Sequence, residues 1–308
     1  MKTCIVIYNP SSGHTLNPRK LPVYKAIINS YGYKVNFIAT EYHGHAKEIV
    51  YHMGYVDLVI SMGGDGTFNE AMYGNILRSK RLLIAHIPIG TTNDIGKMFG
   101  YVGDIEKDLH LCLSGTVKGI DIPMINGRPF IYVAGFGKFL NIPYETTRKD
   151  KKKIGYMAYI INGIKDFFKD TTMYDIEYTI DGIKYNSTCS MLLISSATRI
   201  AGFPNLLSNI RLDDDQFEIL ICHQRKRLDI LGALIQLVPF DASNIDGLSF
   251  NRASKLTIKF KKRFRKPWCI DGEKLEIKTL NYEIHNERNV NVLMPTKNIS
   301  KLFIEKDY

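Results

Sequence analysis

"ISMGGDGTFNE", residues 60–70, sets Gly63, Gly64 and Gly66 around one carboxylate, Asp65, directly behind an apolar run. Glycines at such a turn can take positive φ and expose their backbone N–H groups. Thr67 then stands at the start of an expected helix, whose dipole favours anions. Together these features describe a phosphate cradle without a lysine. Asp65 inside it would repel a phosphate unless a cation lay between them, so the loop implies Mg²⁺, held directly or through water. The same letters also describe a tight strand-to-helix turn whose Asp only caps.

The flanking sequence decides the fold class. "CIVIYN" (4–9), "KVNFIA" (34–39), "VDLVIS" (56–61) and "LLIAHIP" (82–88) read as buried parallel strands separated by helix-length segments. That βαβ repetition predicts an α/β, Rossmann-like three-layer domain over residues 1–122. Ligands of such sheets sit at the carboxyl ends of the strands, where "NPSSG" (9–13), "GGDGT" (63–67) and "PIGTTND" (88–94) emerge. In the last of these, Thr91 and Thr92 can hydrogen-bond phosphate. Asp94 is a second carboxylate or a helix N-cap, and Asp121 in "VKGID" is a third or a solvated strand end. After residue 122 the texture changes. Asn126-Gly127, Asp181-Gly182 and Asp271-Gly272 each lie between β-like runs, the signal for type I′ hairpins and an antiparallel β domain over 123–294. Helical patterns at 153–168 and 227–240 interrupt it.

Composition narrows the partners. Of 308 residues, 45% are apolar, enough for two cores, and 41 Lys and Arg against 31 Asp and Glu give a net charge of +10. That excess favours polyanions: nucleotides, nucleic acid or an anionic bilayer surface. The five cysteines are scattered without C-x-x-C spacing, so neither a disulfide framework nor a zinc site is expected, and a reducing cytoplasm fits best. No apolar stretch reaches membrane-span length. The basic runs 148–153, 225–227 and 259–266 read as solvated faces or, where Phe260 and Phe264 interleave with cations, as a surface for anionic membrane. His43 and His45 lack a third ligand and read as helix-entry residues. P-loop and protein-kinase signatures are missing.

"NPSSG", "GGDGTFNE", "PIGTTND", "LDDDQFEIL" and "IDGEKLE" (270–276) follow one another in the order of the diacylglycerol kinase catalytic-domain family. The chain resembles its soluble bacterial members, which are similar to sphingosine and ceramide kinases. "GGDGT" alone is shared with NAD kinases and phosphofructokinases; its pairing with "PIGTTND" is specific. The resemblance implies a nucleotide-binding α/β domain joined to an antiparallel β-sandwich, with 295–308 returning to the first domain and the active site in the cleft between them. It implies ATP on Asn9, Pro10, Ser11, Ser12, Gly13, Thr40, Gly64, Asp65, Gly66, Thr67, Phe68, Asn69, Glu70 and Thr91. Asp65, Asp94 and Asp121 are implied as the carboxylate network reaching the catalytic Mg²⁺ through water, with Asp271 as general base supported by Glu273. On residues alone, Asp271 also reads as a plain hairpin turn.

The same resemblance implies a structural Mg²⁺ site at Asp214 with the backbone carbonyls of Arg211 and Gln216. Asp215 stands where many relatives have glycine, and a solvated acidic turn is the alternative. The reaction so implied moves the γ-phosphoryl of ATP to the primary hydroxyl of diacylglycerol or a related lipid alcohol. A kinase for a soluble acceptor such as NAD is the alternative, although no "TGSTAY"-like motif is found. A lipid substrate implies a cytoplasmic protein in peripheral contact with anionic membrane. Nucleic acid is not an expected partner, and a homodimer is left open.

Overall fold

The computed structural model describes residues 1–12, 17–138, 171–200, 203–204, 210–226, 228–230, 232, 245–262, 268–275 and 279–304. The candidate helices at 153–168 and, almost wholly, 227–240 lie outside them, as do the basic run 148–153, Arg227, residues 263–266 and Gly13. The chain divides into two compact units: Met1–Ile122 with Arg211–Asp214 and Glu287–Tyr308, and Pro123–Ile210 with Asp215–Asn286. The second domain, expected unbroken over 123–294, thus gives up 211–214 and 287–294 to the first unit. Hydrogen bonds explain why 211–214 falls with the first unit. Leu212 accepts from the Asp121 N–H at 2.6 Å and donates to Leu302 at 2.8 Å, and the Arg211 guanidinium reaches the carbonyls of Ser300 and Phe303.

In the first unit, β1 (Lys2–Tyr8), β2 (Tyr33–Ala39), β3 (Leu58–Gly63) and β4 (Ile84–Pro88) form a parallel sheet in the order β2-β1-β3-β4. Every residue of β3 and β4 is buried, as in strands covered on both faces. α1 (Leu21–Ser30), α2 (His45–His52) and α3 (Asp65–Ile76) make the crossovers; α4 (Asp94–Phe99) and α5 (Ile105–Leu113) follow β4. At eight residues α2 is too short to hold by propensity. The segment of α3 closes both its ends. Glu70 accepts from the Gly44 and Ala46 N–H groups at its start, and Arg78, just past α3, donates to the carbonyls of Val50 and Met53 at its end.

The second unit is antiparallel. Its strands begin with the last residues of β5 (Thr116–Ile125), then β6 (Arg128–Pro129), β7 (Val133–Gly137), β8 (Tyr174–Ile180), β9 (Ile183–Cys189) and β10 (Met191–Ser195). β11 (Arg199–Ile200) and β12 (Phe203–Pro204) form a short ladder, and β13 (Phe217–Cys222), β14 (Leu248–Ala253), β15 (Lys255–Phe260), β16 (Trp268–Ile270) and β17 (Glu273–Leu275) follow. β18 (Asn281–Met294) pairs with β15 in its first part, and Val292 and Leu293 pair in parallel with β4 of the first unit. One sheet runs β14-β13-β10-β7-β16-β17; β18, β15, β8 and β9 are neighbours, in that order, in a different one. Apolar side chains of both meet in one core, where Phe136 stacks edge-on with Tyr174, Phe260 and Trp268. That is a β-sandwich.

All three Asx-Gly pairs turn hairpins. Asn126, Asp181 and Asp271 have φ of 46°, 45° and 47°, each followed by glycine at positive φ, with Ile125–Arg128, Ile180–Ile183 and Ile270–Glu273 paired across the turns. The β-like run "IKYNSTCSMLLIS" (183–195) that follows Asp181-Gly182 breaks at Ser190. β9 and β10 belong to different sheets, because the Ser190 N–H bonds to Cys222 and turns the chain from one layer to the other.

Candidate functional site

The first cluster lies at the carboxyl edge of the parallel sheet. Asn9 and Thr40 continue β1 and β2: the Asn9 N–H bonds to Met62, the Thr40 N–H to Tyr8, and Asn9 Oδ1 accepts from Ser11 in an Asx turn. The loops after β3 and β4 touch backbone to backbone. A Cβ on Gly90 would sit 2.6 Å from Gly64 Cα, and the Ile89 N–H bonds to Gly63 at 2.8 Å. Part of the glycine content of "GGDGT" is therefore required by the neighbouring loop rather than by a ligand.

Asp65 is the first residue of α3 but caps a different helix. Its carboxylate accepts from the N–H groups of Asp94 (3.0 Å) and Ile95 (3.2 Å), which open α4. No side chain caps α3 itself, whose N-cap is Gly64. The arrangement leaves the α3 N-terminus to backbone donors, while the Asp65 charge is balanced by the start of α4. A phosphate at α3 thus meets less repulsion than the sequence suggested. Asp94 is buried, and Asp121, also buried, accepts from the Asn289 N–H at 3.3 Å. Among the described residues no three His, Cys, Asp or Glu side chains gather into a metal-holding group. These carboxylates suit Mg²⁺ only through intervening water, not as a cluster of direct ligands.

Several residues of the loop face the protein. Thr67 packs against Gly63, Phe68 lies in the core 4.8 Å from the His86 ring, and Glu70 holds α2 and His43. His45 accepts from the Glu41 N–H through Nδ1 as a helix-entry residue. His86 itself is fully buried beside Ser61, and burial pushes its imidazole down to about 4, so the ring is neutral at pH 7. Pro10, Ser11 and Thr91 are exposed, Asn9, Thr40, Gly64, Asp65, Gly66, Asn69 and Glu70 are partly so, and Ser12, Thr67 and Phe68 are buried. All five cysteines are buried free thiols; Cys112 and Cys189 are pushed up to about 12 by burial, which removes them as nucleophiles.

The second cluster surrounds Asp271. Its carboxylate accepts three backbone N–H bonds, from Ile131 (2.6 Å), Tyr132 (3.1 Å) and Val133 (3.0 Å), and its own N–H bonds to Val133. The turn residue is therefore a rigidly aimed carboxylate as well. Glu273, across the same hairpin, pairs with Arg128 at 3.0 Å. Sequence reading missed the bracket of residues 131–133, since no local signal ties it to a residue some 140 positions on.

In the acidic turn, Asp215 takes φ of 57°, the left-handed conformation a glycine would supply, and Asp tolerates it better than most residues. The backbone of this turn therefore does not need the glycine. Asp213 accepts from the Ile304 N–H, and Asp214 and Gln216 flank the left-handed residue.

Comparison with known proteins places this geometry. Residues 3–125, which contain the sheet edge and both glycine loops, match the diacylglycerol kinase catalytic domain. The chain carries a diacylglycerol kinase catalytic domain. The kinase chain is 29% identical over 314 residues to diacylglycerol kinases of Staphylococcus aureus strains NCTC 8325 and USA300, covering 100% of this chain and 97% of each relative. A crystal structure of a diacylglycerol kinase from Bacillus anthracis superposes with a TM-score of 0.78 at 21% identity, over 97% of this chain and 99% of that one. That likeness shows the shared two-domain fold. The matched domain and these relatives support a lipid kinase. No helix among the described residues is long and apolar enough to cross a membrane.

Proposed function

We propose that the chain transfers the γ-phosphoryl of ATP to the primary hydroxyl of diacylglycerol or a related lipid alcohol. The observation that carries the reading is the open N-terminus of α3 at the sheet edge, with Asp65 turned away to α4. Backbone donors there can hold a nucleotide phosphate, while Asn9, Thr40 and Thr91 line the same edge. Magnesium, when bound with the nucleotide, would neutralise charge on the transferring phosphoryl group, and Asp65, Asp94 and Asp121 could reach it through water. Arg211, Asp214 and Gln216 would hold a second, structural ion.

In the second unit, Asp271 orients the acceptor hydroxyl and takes its proton as the phosphoryl group departs from ATP. The three N–H bonds hold the carboxylate in one orientation, the kind of preorganisation a base requires. The Arg128–Glu273 pair steadies the far side of the hairpin. Because a lipid must be taken from a bilayer, we also infer peripheral contact with anionic membrane, supported by the net charge of +10.

The test is transfer from radiolabelled ATP with Mg²⁺ to mixed micelles of diacylglycerol, sphingosine or ceramide, with lipid-free and NAD arms. Label in one lipid names the acceptor. Label in NAD alone, or in nothing, would sink the proposal.

A further inference from the structure

Asp271 is aimed by residues 131–133, and that segment itself needs fixing. Residues 131 and 132 lie between β6 and β7 and belong to no strand, so no sheet ladder holds them. Tyr132, the middle residue of the bracket, presents its carbonyl to Ser195. The Ser195 hydroxyl donates to it at 2.7 Å, and the next residue's N–H, from Ser196, reaches the same carbonyl only at 3.4 Å. Ser195 is fully buried at the end of β10, and its oxygen in turn accepts from the Ala197 N–H at 3.1 Å; of the two carbonyls within reach of its hydroxyl, Tyr132 at 2.7 Å is nearer than Ala197 at 3.3 Å. The register agrees: Ser195 lies opposite Val133, and Asp271 bonds to Val133 from the other side. Ser195 in β10, Val133 in β7 and Asp271 in the turn after β16 therefore lie in one line.

Resting on the reading of Asp271 as the base, we propose that Ser195 is a positioning residue for phosphoryl transfer. By holding the Tyr132 carbonyl it fixes the peptides whose N–H groups aim the Asp271 carboxylate at the acceptor hydroxyl. A hydroxyl that only filled space in the sandwich would show in stability; one that aims the base shows in turnover and acts through Asp271 alone.

The experiment is a double-mutant cycle on the full chain, Ser195→Ala, Asp271→Ala and both together, with Ser195→Thr alongside. Thermal unfolding is recorded for each, and kcat and both KM values are measured with ATP and lipid micelles. Ser195→Ala should lower kcat by about 10- to 100-fold, the scale on which small misplacements of reacting groups are felt. The KM for ATP should stay unchanged, since the nucleotide loops lie in the first unit. Ser195→Thr, which keeps the hydroxyl, should recover most of the loss. In the Asp271→Ala background the serine change should cost nothing further. Wild-type kcat in Ser195→Ala with a crippled Asp271→Ala, or an equal further loss in the double variant, overturns the Ser195 role and leaves the base standing. Wild-type kcat in Asp271→Ala overturns the base reading and the Ser195 role with it.

Discussion

Asp65 accepts two backbone N–H bonds from residues 29 and 30 positions ahead, whereas Asp271 accepts three from residues 138 to 140 positions behind. Each carboxylate ties a loop to a neighbouring segment, but the settings differ. In the first unit the partner is the next βα loop, which a parallel sheet necessarily places alongside. In the second the partner is the segment leading into β7, which the sandwich brings near only through its long-range topology. The comparison teaches that an acidic residue in a glycine loop can be both scaffold and chemistry, and that the balance must be read from what its oxygens already hold.

Replacing each by alanine separates those parts most strongly. Asp271→Ala should lower kcat by about 10²- to 10⁴-fold, the usual range for a lost general base. Asp65→Ala removes the cap of α4, so its signature should be about 1 kcal/mol of stability together with a raised KM for ATP. Urea unfolding and steady-state kinetics on both variants check this. Equal kcat losses at unchanged KM would erase the distinction. Alanine is preferable to asparagine at 271, because an amide NH₂ would face the Ile131 N–H.

Acidification should act on the first unit through His86. The folded imidazole titrates near 4 and the unfolded one near 6.5, so below pH 6.5 the unfolded chain binds the extra proton. Stability from this group is complete above about pH 6.5 and falls as pH drops toward 4, by roughly 2 kcal/mol between pH 7 and 5. Urea midpoints at those two values measure it, and His86→Phe should flatten the difference.

Two glycines sharpen the contrast further. Gly90→Ala forces a Cβ against Gly64 and should cost about 1–3 kcal/mol, with weakened ATP binding. Gly127→Ala meets nothing within 4 Å, but its φ of 80° adds strain of about 1 kcal/mol with unchanged kinetics. Thermal unfolding with ATP titration separates them. The smallest effect is expected from Asp215→Gly, within about 0.5 kcal/mol. Relief of a left-handed φ there is offset by the added freedom of the unfolded chain and by loss of the 3.3 Å bond from Asn286.

Much of this was legible in the sequence because it was local. Apolar runs marked β1 to β4 to within two or three residues, and each Asx-Gly pair marked a hairpin through its demand for positive φ. The loops "GGDGT" and "PIGTTND" were found as neighbours, since consecutive βα loops share one sheet edge. What escaped was the direction of side chains. That Asp65 caps α4, that Glu70 and Arg78 brace α2, and that Asp271 leans on residues 131–133 depend on contacts between distant or differently facing segments. The assignment of 211–214 to the first unit was hidden for the same reason. A four-residue turn carries no periodicity of its own, and its bonds to Asp121, Ser300, Leu302, Phe303 and Ile304 show where it belongs.

β18 has a consequence for how the protein is made. Its first residues complete a sandwich sheet, and Val292 and Leu293 pair with Ile84 and Ala85, some two hundred positions earlier. A ribosome must therefore deliver nearly the whole chain before either half can close. At elongation rates of about 5–20 residues per second, the growing polypeptide carries an open edge at β4 for tens of seconds, and another at β15 for only a few seconds, before β18 is made. Both edges are templates for mispairing until one late strand arrives to seal them.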